Sequence, residues 1–276
     1  MSRRQRSVAY AGRNRHYLMC RPTYFAVDYA INPWMDPSTP VDADLAVRQW
    51  TNLRDTYTGL GHRVEEIAAI PGLPDMVFAA NGATVVDGTV MSAQFRYPER
   101  AAEAPAYLNW FAMAGYATHE AKHVNEGEGD LLLAGRFLLA GTGFRTDLAA
   151  HAEAQELFGH PVITLQLVDP RYYHLDTALT VLRDDDIAYL PEAFSPGSRA
   201  VLSQLFPDAI LARPRDAAVL GLNAVSDGEH VVLPAQATGL VDQLAARGYT
   251  PVPVDLSELL KAGGGPKCAT LEIRDR

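Results

Sequence analysis

The chain has 276 residues, of which 48% are hydrophobic and 21% charged, and its formal net charge is −9. This composition is typical of a soluble globular protein that buries a sizeable core in one large domain or two small ones. The negative charge argues against general binding to nucleic acid or to anionic membranes, and no apolar run reaches the length of a membrane span. Two cysteines are too few for a disulfide framework, so we expect a reducing compartment, the cytoplasm.

The N-terminal segment is basic. Its arginines are Arg3, Arg4, Arg6, Arg13 and Arg15. No apolar h-region follows them, so we predict no secretory signal. We predict a flexible basic tail over residues 1–16 and a single domain over residues 17–276, because no stretch rich in Gly, Ser or charge divides the rest of the chain.

Helical patterns alternate with short apolar strands along the chain. Residues 42–60 carry apolar side chains at helical spacing, and Ser195 before Pro196 predicts the capped start of another helix. The predicted helices cover residues 42–60, 146–158, 195–206, 237–248 and 256–260. After most of them comes a short apolar strand, such as residues 63–67 or 162–165.

Five segments share a second pattern, in which turn residues separate two apolar strands. Their first strands begin at Met76, Asp130, His174, Gly221 and Cys268. Successive units start about 45–50 residues apart, a spacing that suits repeated supersecondary units. Two of the turns, Asp87-Gly88 and Asp227-Gly228, are strong hairpin signals. The fifth hairpin is incomplete, and we predict that residues 268–273 pair with residues 17–20.

Each unit is interpreted as a hairpin, a helix and a strand. Five such units in a circle would form an α/β propeller with pseudo-five-fold repeats, in which the same register of every unit faces one central space. Near the starts of the units lie the polar residues Asp75, Asn81, Asp130, His174, Asp176, Asn223 and Cys268. Each alone is also explained as a turn residue or a cap. Together they predict a site, because polar groups gathered in one cavity are costly unless a ligand uses them.

Cys268 follows three glycines and Pro266, and Lys267 stands directly before it. A nearby cation stabilises the thiolate, which is the nucleophilic form of cysteine. With His174 to move protons and carboxylates to hold a positive group, these residue types suit attack on the carbon of a guanidinium. Because carboxylates disfavour the thiolate, we expect a bound cation to activate it. The alternative is that Cys268 is a small buried hydrophobe at the start of a strand.

Four motifs carry a resemblance to a known family. They are Pro-Asp-Met-Val-Phe-Ala-Ala-Asn at 74–81, Glu-Gly-Glu-Gly-Asp at 126–130, His-Leu-Asp at 174–176 and the Gly-rich approach to Cys268. With them the chain resembles the guanidino-group-modifying enzymes of the pentein superfamily, which includes arginine deiminases, dimethylargininases, amidinotransferases and arginine dihydrolases. The resemblance covers residues 17–272 and implies a five-bladed pentein-type α/β propeller that forms a catalytic domain.

The resemblance also implies roles for individual residues. Cys268 is the expected nucleophile, His174 the general acid and base, and Glu126 the carboxylate that binds the guanidinium. The residues expected to bind the rest of the substrate are Asn32, Phe78, Asn81, Arg100, Asp130, Arg145 and Asp176, and the two arginines resemble those that hold the substrate α-carboxylate. We expect arginine or N-methylated arginine as the partner, with no cofactor and no metal, and a homo-oligomer stays open.

Two amides resemble one branch of the superfamily. Asn81 stands where many deiminases carry an acid, and both Asn81 and Asn32 are similar to the arginine dihydrolases. The resemblance therefore predicts hydrolysis of arginine to ornithine, carbon dioxide and ammonia through a covalent thiouronium intermediate. The alternatives are a dimethylargininase or an arginine deiminase giving citrulline, and further an amidinotransferase or a non-catalytic pentein. Two assignments stay open: Asn32 as a mere cap of the turn at Pro33, and Glu128 in place of the favoured Glu126.

A rival motif spans residues 119–123, where His-Glu-Ala-Lys-His matches the His-Glu-x-x-His pattern of zinc proteases. No further ligand follows at the expected spacing, and a zinc site would leave the repeats and the Cys268 loop unexplained. We therefore predict a surface pair of histidines on a short helix.

Overall fold

Five three-stranded sheets repeat one topology in the computed structural model, which describes residues 12–275. In every sheet the central strand pairs antiparallel with one neighbour and parallel with the other. The strands are β1 His16–Cys20, β2 Arg63–Ile67, β3 Ala83–Val86, β4 Thr89–Ser92, β5 Ala117–His119, β6 Leu131–Ala134, β7 Phe137–Thr142, β8 Val162–Gln166, β9 Leu179–Arg183, β10 Asp186–Tyr189, β11 Ile210–Leu211, β12 Val225–Ser226, β13 His230–Pro234, β14 Thr250–Val254 and β15 Leu271–Glu272. They group as β15-β1-β2, β3-β4-β5, β6-β7-β8, β9-β10-β11 and β12-β13-β14.

Helices lie between the strands of each unit. The α-helices are α1 Ala43–Gly59, α2 Glu103–Met113, α3 Leu148–Phe158, α4 Leu175–Ala178, α5 Pro196–Leu205, α6 Pro214–Ala217, α7 Thr238–Arg247 and α8 Ser257–Leu260. Short 3-10 helices cover Pro74–Val77, Ala79–Asn81, Pro98–Arg100, Gly127–Gly129 and Pro191–Ala193. Within residues 12–275, none of the helices combines the length and the apolar character that a bilayer span needs.

Two of the predicted helix starts are confirmed by capping bonds. The carboxylate of Asp42 accepts from the backbone N–H of Leu45 at 2.8 Å and caps α1. The hydroxyl of Ser195 accepts from the backbone N–H of Ser198 at the start of α5. The face of α1 that carries Trp50 is buried against β1 and the C-terminal loop, which ties this helix to the core.

The two ends of the chain meet in one sheet, as predicted. Tyr17 of β1 lies opposite Glu272 of β15 in an antiparallel pair. Residues 1–11 of the predicted basic tail lie outside the described residues. Within the rest of that tail, Arg15 donates to Glu272 at 2.9 Å and β1 begins at His16, so the ordered chain starts before the predicted boundary.

The predicted first strands begin too early in four units. The strand residues predicted at 76–78, 174–178, 221–224 and 268–270 lie instead in turns and short helices that precede β3, β9, β12 and β15. Their backbone donors are used locally, as where Phe78 N–H bonds to the carbonyl of Asp75 at 2.9 Å, and are therefore lost to a ladder. These same turns carry the polar residues that the sequence singled out.

One helix was missed, and one predicted helix needs correction. Helix α2 was not predicted, because its N-cap, Ala102, offers no side-chain acceptor and leaves no start signal. The short helix predicted at residues 119–123 is wrong, since His119 ends β5 and its Nε2 lies 2.8 Å from a carboxylate oxygen of Glu153. Among the described residues, no group of three or more His, Cys, Asp or Glu side chains is arranged to hold a metal ion.

Candidate active site

The thiol of Cys268 lies in a buried polar cluster that we call the thiol cluster, formed with Asp176 and Asn223. Its Sγ is 3.3 Å from Oδ2 of Asp176 and 3.1 Å from Nδ2 of Asn223. The oxygen of the Asn223 amide also accepts from the backbone N–H of Cys268 at 2.9 Å, so one amide holds both the backbone and the sulfur of this residue. The side chain is thereby fixed in one orientation.

The electrostatics of the thiol cluster differ from the sequence expectation. Burial and the neighbouring carboxylate of Asp176 raise the pKa of Cys268 well above its ordinary value. Lys267, expected to favour the thiolate, instead donates to Glu128 at 2.7 Å and to the carbonyl of Thr270. Burial raises the pKa of Asp176 to about 7, against the lowering effect of Lys267. The cluster therefore lacks a positive charge that would ionise the thiol.

A second cluster, the imidazole cluster, contains His174, Glu126 and Arg145. Nε2 of His174 lies 2.7 Å from Oε2 of Glu126, and Arg145 donates to the same oxygen at 2.8 Å. Burial would raise the pKa of Glu126, but Arg145 and His174 outweigh it and lower the value to about 2. Nδ1 of His174 is buried and has no hydrogen-bond partner among the described residues.

A single turn decides which glutamate faces the imidazole. Gly127 has φ of +54°, and a Cβ there would lie 2.6 Å from the carbonyl oxygen of Ala80, so only glycine fits. The turn directs Glu126 towards His174 and Glu128 towards Lys267 on the other side. Of the two assignments that the sequence left open, the geometry favours Glu126.

Asp130 and Asn81 hold this arrangement together. Asp130 accepts from the hydroxyl of Thr146 at 2.7 Å and from the backbone N–H of Leu175 at 2.9 Å, which fixes the start of α4. Burial raises the pKa of Asp130 to about 6. The amide of Asn81 donates to the carbonyl of Glu126 at 3.3 Å. Both side chains are therefore hydrogen-bonded to other groups of the protein.

The two arginines predicted for the substrate carboxylate are buried and differ in their partners. Arg100 donates to both carboxylate oxygens of Glu103, at 2.9 and 2.8 Å, and to Oδ1 of Asn81 at 2.8 Å. Arg145 lies between two tyrosine rings, and its Nη2 donates to the carbonyl of Ile31 at 2.8 Å. Arg145 is therefore held partly by the segment that contains Ile31, whereas Arg100 is held within the core.

Residues 21–42 contain no regular secondary structure, and they pack against the apolar cluster that contains Cys268 and accept a hydrogen bond from Arg145 through the carbonyl of Ile31. Asn32 belongs to this segment: its amide donates to the carbonyl of Ala262 at 3.1 Å and accepts from the backbone N–H of Trp34 at 2.9 Å. Both ends of this amide are used within the protein, which agrees with the alternative that Asn32 stabilises a turn. Cys268 itself is only 1% exposed.

Phe78 supports the glycine loop from the other side. Its ring lies against Gly264 so closely that a Cβ there would overlap the ring. Phe78 therefore sets the path of the loop that leads to Cys268.

One short turn connects the two clusters. His174 is the N-cap residue of α4, and Asp176 lies in the first turn of that helix. Asn223 was noted among the polar residues of the repeats but was not predicted for the site. Its position before β12, equivalent to that of Cys268 before β15, was the available signal.

Comparisons with known proteins identify several relatives of the chain. No protein-family model matches the chain. The chain is 57% identical over 261 residues to the N(G),N(G)-dimethylarginine dimethylaminohydrolase of Mycobacterium tuberculosis, with 95% of this chain and 86% of that protein covered. It is 35% identical to the bifunctional arginine dihydrolase/ornithine cyclodeaminase ArgZ of Synechocystis, and spans 37% of the length of that protein.

A solved structure shows the same fold. The N-terminal domain of an ArgZ variant, covalently bound to a reaction intermediate, superposes with a TM-score of 0.91 at 34% identity. The match covers 95% of this chain and 98% of that one. The predicted mixed α/β class is therefore confirmed.

Proposed function

Since the chain belongs to the guanidino-modifying hydrolases of the pentein superfamily, we propose that Cys268, His174 and Glu126 form its catalytic centre. The predicted enzyme class, a hydrolase of the C–N bonds of linear amidines, is confirmed by these relatives. The proposal for the site rests on the turn at residues 174–176, whose two ends each hold one partner of the proposed centre. His174 bonds to Glu126, and Asp176 bonds to the thiol of Cys268.

The first half of the proposed reaction removes an amine. A cationic guanidinium beside Asp176 supplies the positive charge that the thiol cluster lacks, and thereby lowers the pKa of Cys268. The thiol proton of Cys268 passes to His174, and the thiolate attacks the guanidinium carbon and forms a C–S bond, while the C=N electron pair moves to nitrogen. His174 donates a proton to the departing amine, the C–N bond breaks, and a covalent thiouronium remains.

The second half hydrolyses this intermediate. His174, now neutral, takes a proton from water, and the resulting hydroxide attacks the same carbon. The C–S bond breaks and returns the thiolate of Cys268, leaving a ureido product. Glu126 stabilises the imidazolium in each half through its bond to Nε2. A relative forms a covalent reaction intermediate, which supports this two-step path.

For the leaving group we favour dimethylamine or methylamine from N-methylated arginine, with citrulline as the second product. The relative at 57% identity supports this choice over the arginine dihydrolases at 35%. The use of both ends of the Asn32 amide within the protein removes one argument for dihydrolysis. Arginine dihydrolysis, which the sequence placed first, becomes the second candidate, supported by Asn81 and by the TM-score of 0.91 to ArgZ.

The proposed substrate pocket also contains Arg145. Movement of the segment at residues 21–42 releases its Nη2 from the carbonyl of Ile31, which frees a donor for the substrate α-carboxylate. Arg100 then acts mainly by orienting Asn81.

We also propose that the five sheets form a closed ring of five blades and that residues 17–276 make up one domain. This arrangement is supported by contacts between neighbouring sheets, of β15 with β3, β6 with β9, and β9 with β12. A shared apolar cluster that contains Tyr17 and Val232 connects the first sheet with the last.

Product analysis tests the proposed function. The full chain is incubated separately with asymmetric dimethylarginine and with arginine, and citrulline, ornithine, dimethylamine and ammonia are separated by mass. We expect citrulline and dimethylamine from the first substrate at the higher kcat/KM. Ornithine from arginine at the higher kcat/KM would instead establish the dihydrolase.

Cys268→Ser is the matched control for this experiment. It should lower turnover by several orders of magnitude with substrate binding retained, because a serine hydroxyl is scarcely ionised. Retention of about a tenth of the activity would show that Cys268 is not the nucleophile.

A further inference from the structure

One polar side chain of the thiol cluster takes no part in the reaction steps above. Asn223 lies just before β12, in the unit between those that carry Asp176 and Cys268. Its side chain is fully buried, so its hydrogen bonds are made to the protein rather than exchanged with water. Turns from three successive units therefore meet at one amide.

The contacts of the Asn223 amide fix which way round it lies. Its Nδ2 donates to the sulfur of Cys268 at 3.1 Å and to the carbonyl of Asp176 at 3.2 Å. Its Oδ1 accepts from the backbone N–H of Cys268 at 2.9 Å. A flipped amide would set its oxygen against the carbonyl of Asp176 and its NH2 group against the N–H of Cys268, which opposes acceptor to acceptor and donor to donor. The sulfur is therefore presented with a donor.

The loop before Cys268 packs directly on Asn223. A Cβ at position 265 would lie 2.9 Å from Oδ1 of Asn223, so the residue there, Gly265, permits an approach that a larger residue would block. The backbone N–H of Lys267 donates to the backbone carbonyl of Asn223 at 3.3 Å. Residues 265–268 are thus held against Asn223 at several points, and the distance between the donor and the sulfur is set by the fold.

The two side chains that contact the sulfur have opposite effects on its charge. Burial and the carboxylate of Asp176 raise the pKa of Cys268, whereas hydrogen bonds from the backbone of Gly265 and from the side chain of Asn223 lower it. A hydrogen bond to a charged group is stronger than one to a neutral group. The contribution of Asn223 therefore grows when the sulfur becomes a thiolate, and it is largest when no cation compensates the anion.

This condition is met in the second half of the proposed reaction. In the first half the thiolate faces a cationic guanidinium, which offsets Asp176. In the second half hydroxide adds to the thiouronium carbon and gives a neutral adduct. The C–S bond then breaks with its electron pair on sulfur and the C=O bond forms, while the hydroxyl proton leaves through water and afterwards returns to the sulfur. Because a ureido group is far less basic than a guanidino group, the product is neutral and the thiolate forms without a substrate cation.

We propose that Asn223 stabilises the thiolate released in this second half, and that it thereby speeds the breakdown of the covalent intermediate more than its formation. The inference rests on the proposed hydrolysis and adds to it a residue that neither holds the guanidinium nor moves a proton. Its contact is with the reacting sulfur itself, at 3.1 Å. Asn223 therefore determines how long the thiouronium persists.

Single-turnover kinetics of Asn223→Ala tests the proposal. The full chain is mixed with slightly less than one equivalent of asymmetric dimethylarginine or, separately, of arginine. The adduct on Cys268 is followed by the mass of the intact protein after quenching in acid. We expect its decay to slow about 10–100-fold in the variant, the effect of one hydrogen bond to a charged group, and its formation to slow by no more than about threefold.

Two further variants keep the test decisive. Asn223→Asp covers the case in which the alanine variant does not fold, because it keeps the acceptor for the N–H of Cys268 and replaces the donor by an acceptor. Its adduct should last at least as long as that of Asn223→Ala. Asn52→Ala, at an exposed position of α1, is the matched control and should behave like the wild type.

Two results would overturn the proposal while the proposed hydrolysis stands. They are adduct decay at the wild-type rate in the Asn223 variants, and equal slowing of formation and decay, which is the result expected if Asn223 only maintains the structure. A wild type that forms neither adduct nor product from either substrate would refute the proposed hydrolysis, and this inference with it.

Discussion

Glu126 and Glu128 lie two positions apart, are both fully buried, and nevertheless have different surroundings. Glu126 contacts His174 as well as the permanent cation Arg145. Glu128 pairs with two permanent cations, Lys267 and Arg274, and does not contact a histidine. Burial raises the pKa of both carboxyls, and in both cases the cations reverse this effect. The difference teaches that the partner of a buried carboxylate, rather than its burial, separates a group suited to catalysis from one suited to stability.

The largest expected effect concerns His174, the partner of Glu126. His174→Ala should lower kcat by about 10²–10⁴ and leave the binding of substrate nearly unchanged, because proton transfer contributes to the transition state. Steady-state kinetics measures both values, and His119→Ala, on the surface pair with Glu153, is the control. Loss of affinity at unchanged kcat would make His174 a binding residue.

Glu128→Gln should act on stability. It leaves Lys267 and Arg274 buried without a full counter-charge, and removal of one partner from a buried ion pair costs about 3–5 kcal/mol. Urea denaturation measures the loss. The remaining folded enzyme should keep its kcat within about threefold, since Glu128 does not touch His174. A fall of kcat at unchanged stability would contradict the distinction between the two glutamates.

Glu126→Gln is the matched substitution on the other side of the turn. We expect kcat to fall about a hundredfold, because the imidazolium loses its counter-charge. The loss of stability should be smaller than for Glu128→Gln, since only one permanent cation, Arg145, is left unpaired, and it keeps its contacts with Tyr97 and Tyr173. Comparison of kcat and of urea midpoints for the two variants tests this. Equal effects of the two variants on kcat and on the urea midpoint would contradict the distinction between Glu126 and Glu128.

The smallest expected effect concerns pH. Burial raises the pKa of Asp176 from an ordinary 3.8 to about 7. Between these values the folded protein binds a proton that the unfolded chain does not, so stability falls as the pH rises through this window. Asp176→Asn removes this contribution and should reduce the loss of stability between pH 5 and pH 8 by about 1 kcal/mol or more. Urea midpoints at the two pH values measure it, and identical losses in wild type and variant would contradict the raised pKa.

The parts of the fold that the sequence predicted well are those with local signals. Asp42 and Ser195 mark helix starts through capping, and Asp-Gly turns mark hairpins, so these elements could be placed without coordinates. Helix α2 lacks a capping side chain and escaped prediction. The inner turns were mistaken for strands because their apolar residues are buried by tertiary contacts, which a local pattern does not encode.

Of the residues in the two clusters, the sequence did not predict Asn223 for the site, and it misplaced one charge. The partner of Lys267 is Glu128, which is 139 positions away, so the sequence placed the ammonium beside the sulfur when it belongs to another cluster. Likewise Asn32 finds its acceptor, Ala262, 230 positions away. Such distant pairs depend on how the sheets are brought together, and no spacing in the chain reveals them.

The sheet that pairs β1 with β15 has a consequence for the order in which the protein folds. Arg15 and Glu272, which bond across this sheet, are separated by 257 positions, so β1 meets its antiparallel partner only after all the residues between them have been synthesised. Closing so long a loop comes late in folding, because its entropy is lost before its contacts form. Cys268 stands just before β15, so its position depends on the same late pairing. The thiol is therefore buried only after the sheets that lie between β1 and β15 in the chain have been synthesised.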